Sequence, residues 1–314
     1  MPIYCNNFSP KLTLNTLAKY LALIRFSHSL FALPFALLSA AMAVRLNLSE
    51  SPPIRPRWSD IIGILLCMVF ARSAAMGFNR WADREIDAEN PRTADRHIPT
   101  GEISASNALY FVIVSSIGFV LSTLIFLPNR IPFFASLPVL LFLFGYSYAK
   151  RWTIFAHFWL GAALMLAPLA AWVVVRPDLI PVPLPPVFLG LAVLFWSSGF
   201  DLIYATQDAR HDQKVHLFSV PGRLGIPATF QIAACCHIIA VLLFATLPSV
   251  YEPFGCLFGV GVAAIAVILA TEHWLVAPRS NRPLDLRRVN IAFFQMNVAV
   301  SLGLLGIGLL DLFF

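Results

Sequence analysis

Apolar stretches of about twenty residues succeed one another almost from end to end of this chain, and each can cross a bilayer as a helix. A hydrocarbon core of about 30 Å needs about 20 helical residues at a rise of about 1.5 Å each. Nine segments qualify: 20–44, 59–81, 105–127, 131–149, 153–175, 186–207, 226–247, 253–276 and 289–312. Lipid offers no water to exposed backbone N–H and C=O groups, so runs this long specify helices. Composition agrees, with 59% of the 314 residues hydrophobic and 12% charged. Soluble domains carry about 25% charged residues. The mean hydropathy is +0.77. No stretch is left for a water-soluble module, so the sequence predicts one all-α membrane domain over residues 1–314. A basic start followed by a short apolar run and a small-residue cleavage site is missing, so no removable signal peptide is expected.

Proline and charge then shape the layout. Pro34 and Pro168 fall inside spans and are expected to kink them. The run Pro181-Val182-Pro183-Leu184-Pro185-Pro186 reads as a stiff, extended connector between the fifth and sixth spans. With the N-terminus inside, the interior segments hold sixteen basic residues: Lys11, Lys19, Arg25, Arg80, Arg84, Arg92, Arg96, Lys150, Arg151, Arg210, Lys214, Arg223, Arg279, Arg282, Arg287 and Arg288. The exterior loops hold five, Arg45, Arg55, Arg57, Arg130 and Arg176. That asymmetry predicts an N-in, C-out cell-membrane protein, and it explains the net charge of +6 without nucleic acid. The five cysteines, Cys5, Cys67, Cys235, Cys236 and Cys256, lack metal-ligand spacing, and four lie in apolar spans as packing residues.

Two acidic clusters break the apolar pattern. One is Asn79-Arg80-Trp81-Ala82-Asp83-Arg84-Glu85-Ile86-Asp87; the other runs from Asp201 through Tyr204 and Asp208 to Asp212 and Lys214. In each, two aspartates four residues apart share one helix face. A charge at mid-bilayer costs roughly 2.5–3.5 kcal/mol on insertion scales, so acids at membrane depth point to function. The second and sixth spans run in the same direction, which places Asp83/Asp87 and Asp208/Asp212 on the same, cytoplasmic, side. Four spans separate the clusters, which predicts two pseudo-repeated helical bundles around a central cavity, each giving one acid pair.

Facing acid pairs repel unless cations lie between them. Carboxylate oxygens suit Mg²⁺, which keeps waters and is held by one or two carboxylates plus substrate phosphates. Two such metals grip a diphosphate together. Arg72 lies two turns before Asn79 on the same stripe and can fork onto phosphate oxygens. A simpler alternative for the first cluster is a helix end dipping into water, with Asp83 and Asp87 paired to Arg80 and Arg84. A solvated loop also explains Asp212, but not Asp201 after the apolar run from Phe195 to Phe200.

The run Asn79-x3-Asp83-x3-Asp87, continuing through Asn90-Pro91-Arg92-Thr93-x2-Arg96 to Pro99 and Gly101, resembles the first signature of the UbiA superfamily of intramembrane prenyltransferases. Asp201-x2-Tyr204-x3-Asp208-x3-Asp212-x-Lys214, with Ser219 and Gly225 downstream, resembles the second. Tyr146-x3-Lys150-Arg151 is similar to the basic patch after the fourth span. The motifs thus occupy 79–101 and 201–225, and the likeness covers nearly the whole chain. It implies Mg²⁺-dependent transfer of a polyprenyl group from a polyprenyl diphosphate to an electron-rich aromatic ring. By that match Asp83, Asp87, Asp208 and Asp212 hold metal with Asn79 assisting, while Arg72, Lys150 and Arg151 stabilise the departing diphosphate. Tyr146, Asp201, Tyr204 and Lys214 complete the substrate set. Arg25 and His28 are placed to meet the acceptor carboxylate or the diphosphate; a snorkelling arginine and a core histidine are the alternatives.

Quinone-pathway members of that superfamily prenylate 4-hydroxybenzoate or a naphthoate. The usual 4-hydroxybenzoate pattern has Tyr-Asp and Asp-Asp in the second motif, where this chain has Phe200-Asp201 and His211-Asp212. The segments Phe31-Ala32-Leu33-Pro34-Phe35-Ala36 and Gly199-Phe200-Asp201 nevertheless resemble the branch commonly named for 4-hydroxybenzoate, so that resemblance implies an acceptor of the 4-hydroxybenzoate type, with 1,4-dihydroxy-6-naphthoate as the alternative. A secondary transporter would put its charges at mid-span. A CDP-alcohol phosphotransferase would need an Asp-Gly-x2-Ala-Arg run, which is absent. His97 and His211 flank the motifs, while His157, His237 and His273 read as packing residues.

Overall fold

A computed structural model describes residues 18–24, 31–53, 57–276 and 286–314, and every described regular element is helical. A short helical piece at 18–23 comes first. It is followed by α1 (Leu33–Ser49), α2 (Trp58–Ala82), α3 (Arg84–Glu89), α4 (Ala105–Thr123), α5 (Ile131–Ala149), α6 (Ala156–Val175) and α7 (Leu184–Ala205). The short α8 (Ala209–Lys214), then α9 (Val220–Val250) and α10 (Cys256–Val276), lead to α11 (Arg287–Phe313), which carries a π turn at Ala292–Met296. Among the described residues eight helices are long and apolar enough to cross a membrane, and α1 is a shorter apolar helix. The chain is a multi-pass, all-α membrane protein.

Local chemistry explains where several helices begin. Proline occupies the first turns of α1, α5, α7 and α9, where the missing N–H would have had no partner. Two sequence expectations are corrected on this ground. Pro34 starts α1 rather than kinking a span, and the proline run is extended only to Pro183, because Pro185 and Pro186 lie in the first turn of α7. Ser104 and Ser219 cap α4 and α9, their hydroxyls accepting from the N–H groups of Asn107 and Gly222 at 3.2 Å. Within α9, Gly225 at φ 81° breaks the helical path, so the apolar span expected from residue 226 begins just past a kink.

Long helices successive along the chain alternate in direction, and contacts at both ends establish this. At one end Arg176 pairs with Glu50 at 3.3 Å, Asn129 donates to the Val173 carbonyl at 2.9 Å, and Arg45 donates to the Leu312 carbonyl at 3.1 Å. At the other end lie both acidic motifs. Between them the core is aromatic: Phe35 of α1 lies 5.1 Å from Trp196 of α7 and 6.0 Å from Phe244 of α9, centroid to centroid. Glycine lets backbones approach closely at two crossings. A Cβ at Gly161 of α6 would stand 2.5 Å from the Leu194 carbonyl of α7, and one at Gly199 of α7 would stand 2.3 Å from the His237 ring of α9. On α4 the outward stripe Tyr110, Ile113, Val114, Ile117 and Leu121 is exposed and apolar, as a lipid-facing surface requires. A cavity of about 410 Å³, lined by Arg45, Leu48, Pro253 and Asp311 among others, opens at the end away from the acids.

Candidate active site

Both acidic motifs bend at the same place. Asp83 separates α2 from α3 with φ −96° and ψ 7°; Asp208 ends a 3₁₀ turn between α7 and α8 with φ −100° and ψ 1°. This bridge region of backbone space is sparsely used and frequent among active-site residues. Backbone bonding carries the stripe through the first bend, Asp83 N–H to the Asn79 carbonyl at 3.0 Å and Asp87 N–H to the Asp83 carbonyl at 2.7 Å. The expected face is therefore present, but it runs across two helical segments that Asp83 separates.

Side chains from the α3–α4 connection tie the two motifs together. Arg92 grips both oxygens of Asp208 through Nε and Nη2, with Nε–Oδ1 at 2.7 Å. Asn90 donates to the same Oδ1 at 2.9 Å. Arg92 also donates to the Tyr204 hydroxyl at 3.2 Å and lies over its ring. Arg96 reaches back to Asp87, donating to both carboxylate oxygens at 2.6 Å. Sequence spacing alone pairs Asp87 with nearby Arg84; instead Arg84 bonds Glu85 at 2.8 Å and the Trp81 carbonyl at 2.9 Å. Asn79 donates to Asp83 Oδ2 at 3.0 Å, as a role beside that acid requires.

The connection after α5 closes the site from a third side. Arg151 donates to the Ala82 carbonyl at 2.7 Å and lies 3.4 Å from Asp83. Phe218 N–H donates to the Lys150 carbonyl at 2.7 Å, which binds this turn to the segment after α8. Burial alone would discharge Lys150, yet Tyr146, Asp212, Asp201 and Asp208 around it raise its pKa above the ordinary lysine value. Lys150 therefore stays charged among the acids of the second motif, and it also acts on Asp83 of the first. Asp83 is shifted upward from the usual carboxylate value by burial and by Asp87, against the pull of Lys150 and Arg151.

Asp201 lies on α7 and receives a hydrogen bond from His157 Nδ1 at 2.7 Å. His157 was expected only to pack, so its link to an acid of the motif is new. Asp212 is buried, and its Oδ2 has no hydrogen-bond partner among the described residues. Arg72 is half-buried in α2, two turns before Asn79. Lys214 is exposed at the end of α8, and Arg223 stacks on Phe218 at 4.2 Å. Arg25 and His28 lie outside the described residues. Asn90, Arg92 and Arg96 stood inside the first signature but had been given no role. Their signal was an Asn and two Arg following the acids at loop spacing, which no helix-face argument connects to Asp208.

Carboxylate oxygens from both motifs are the donors a hard divalent cation takes, and the unpartnered Oδ2 of Asp212 is open to one. No three acidic, histidine or cysteine side chains converge on one point among the described residues. Arginines stand as counter-ions to Asp87 and Asp208 instead. The donor chemistry thus fits metal, with Arg92 and Arg96 as the groups that it would displace or share.

A family model for UbiA prenyltransferases matches residues 32–298, which takes in every element from α1 into α11. The chain belongs to the UbiA prenyltransferase family. The 4-hydroxybenzoate octaprenyltransferase of Pseudomonas fluorescens (strain Pf0-1) is 29% identical over 225 residues, 71% of this chain and 73% of that protein. A UbiA homolog from Aeropyrum pernix K1, solved in its apo form, superposes with a TM-score of 0.77 at 28% identity, covering 90% of this chain and 97% of that one. A UbiA homolog from Archaeoglobus fulgidus, solved bound to GPP and Mg²⁺, shares the fold at TM-score 0.71 and 19% identity, covering 94% of this chain and 99% of that one. The UbiA fold thus accounts for the order of helices, and the signature residues gather at one of its ends.

Proposed function

We propose that this UbiA-family enzyme transfers a polyprenyl group from a polyprenyl diphosphate to an aromatic acid of the 4-hydroxybenzoate type and releases diphosphate. The observation that carries this reading is the joining of two acid motifs, from α2 and α7, by Arg92 and Lys150 at one end of the bundle. Such a mixed field of carboxylates and fixed cations suits a metal–diphosphate, whose charge needs both. The curated relatives named for 4-hydroxybenzoate and the relative bound to GPP and Mg²⁺ support the donor and acceptor classes.

Asp83, Asp87, Asp208 and Asp212 would hold Mg²⁺ with help from Asn79. Bound there, the metal neutralises diphosphate charge and eases departure of the leaving group. Lys150, Arg151 and Arg72 are the cations that meet charge developing on the diphosphate oxygens as the C–O bond breaks. An electron pair from the aromatic ring then closes the new carbon–carbon bond on the allylic cation, and the ring loses a proton. Asp201 and Tyr204, one turn apart on α7, face the acceptor side. Tyr146 lies with Asp201 near Lys150. Lys214 belongs to the substrate set only if α8 moves, since its side chain faces solvent. We further place nine membrane crossings with the N-terminus inside, so that the site opens to the cytoplasmic face of the cell membrane. The basic loops collect at the acid end, as that orientation requires.

Purified protein in lipid, given Mg²⁺, a polyprenyl diphosphate and either 4-hydroxybenzoate or 1,4-dihydroxy-6-naphthoate, tests the reading. Prenylated 4-hydroxybenzoate and free diphosphate are expected. Product from the naphthoate alone would replace the acceptor, and no product from either would overturn the activity. Asp83→Ala and Asp208→Ala should each cut turnover by at least about 100-fold, the scale on which one charge-stabilising group acts.

A further inference from the structure

Of the three acids of the second motif, Arg92 holds Asp208, whereas Asp201 is held by a histidine. Its partner comes from another helix. His157 lies in the first turn of α6, is 0% exposed, and approaches Asp201 Oδ2 to 2.7 Å through Nδ1. An ionised carboxylate only accepts, so Nδ1 carries the hydrogen and the ring is the Nδ1–H tautomer. The other ring nitrogen, Nε2, is buried without a partner, so the ring has no outlet through which to pass a proton onward.

The packing that makes this contact is specific. Gly161, one turn after His157, lets α6 close onto α7, where Ser198 donates to the His157 carbonyl at 3.3 Å. That crossing fixes the histidine against the turn of α7 that carries Asp201. No described residue donates to the remaining Asp201 oxygen, Oδ1. The carboxylate is 14% exposed and acts electrostatically on Lys150 together with Asp208 and Asp212. It therefore borders the same space as the metal-binding acids while being oriented from behind.

We propose that His157 is a positioning residue. Its Nδ1–H locks Asp201 Oδ2 so that Oδ1 is presented to the phenolic hydroxyl of the aromatic acceptor, and it takes no part in holding metal or diphosphate. The proposal rests on the prenyl-transfer reading above and adds the residue that sets acceptor recognition. An accepted hydroxyl proton raises electron density on the ring carbon that attacks. A carboxylate free to rotate would pair with Lys150 instead.

Kinetics of the wild type, His157→Leu and His157→Asn, with each substrate varied in turn, test it. Asparagine offers an N–H close to the position of Nδ1 but cannot relay a proton. His157→Leu should lower kcat/KM for the acceptor by about 10–100-fold, the range spanned by one hydrogen bond to a charged group. The KM for the prenyl diphosphate should stay within about twofold. His157→Asn should recover most of the acceptor loss, and His157→Leu should cost nothing further in an Asp201→Asn background. Equal losses toward both substrates would mean a packing role and overturn the proposal, as would a His157→Asn variant as poor as His157→Leu. Should His157→Leu fail to insert, the comparison of His157→Asn with wild type decides alone. An inactive wild type would remove the prenyl-transfer reading itself, and the proposal with it. Activity in the wild type with no acceptor-specific defect removes the proposal only.

Discussion

A guanidinium fork on a carboxylate is a geometry that lysine does not copy, and Arg92 makes such a fork on Asp208. Arg92→Ala leaves Asp208 nearly buried with only Asn90 to donate. A broken pair of this kind costs about 3–5 kcal/mol when fully buried. Here the arginine is 25% exposed, so a loss of roughly 2 kcal/mol is expected after allowing for solvent screening. Thermal unfolding in lipid should show a lower Tm for both Arg92→Ala and Arg92→Lys. Saturating Mg²⁺ with a prenyl diphosphate should narrow the gap, since a cation then stands where the arginine did. Glu272 of α10 is a second residue-scale case. It is 0% exposed and meets no cation among the described residues, so a charge on it would have no counter-ion. Glu272→Gln should leave Tm unchanged or raise it, whereas Glu272→Lys should lower it, because an unpaired buried charge is what the fold avoids.

At the scale of helices, the crossing of α7 with α9 depends on the absent side chain at Gly199. Gly199→Ala puts a methyl into the His237 ring, and overpacking of this kind costs about 1–3 kcal/mol. His237→Ala in the same protein should return part of that loss, which a Tm series would show. The length of the apolar runs read these long helices well, because each run is a single span and lipid leaves the backbone no alternative to helix. Spans expected at 59–81 and 131–149 meet Trp58–Ala82 and Ile131–Ala149 almost residue for residue. Their ends were less legible. Pro34 reads the same whether it kinks a helix or starts one, and only the neighbouring backbone decides. The acid face was legible from its spacing of four, but the bends at Asp83 and Asp208 were not. Spacing gave Arg92, Arg96 and His157 no partner: Arg92 and His157 act on carboxylates 116 and 44 residues away, and Arg96 reaches nine residues back across a turn.

For the whole molecule, the gathering of every signature carboxylate at one end predicts a one-sided enzyme. Chelation with EDTA should abolish product, and Mg²⁺ should restore it, without loss of the folded helices by circular dichroism. Single cysteines at Arg92 and Arg176, in a background with native thiols replaced, should react with an impermeant reagent from opposite faces of sealed vesicles. Labelling of both from one face would overturn the alternating layout. The loop from Asp178 to Pro183 runs at the far end, between the half that carries Arg92 and the half that carries Asp208. Because the Arg92–Asp208 fork spans that division, each half owns a charge whose partner belongs to the other. Cut there and co-expressed, the two pieces should find each other in the membrane and rebuild a working enzyme, while either piece alone stays silent.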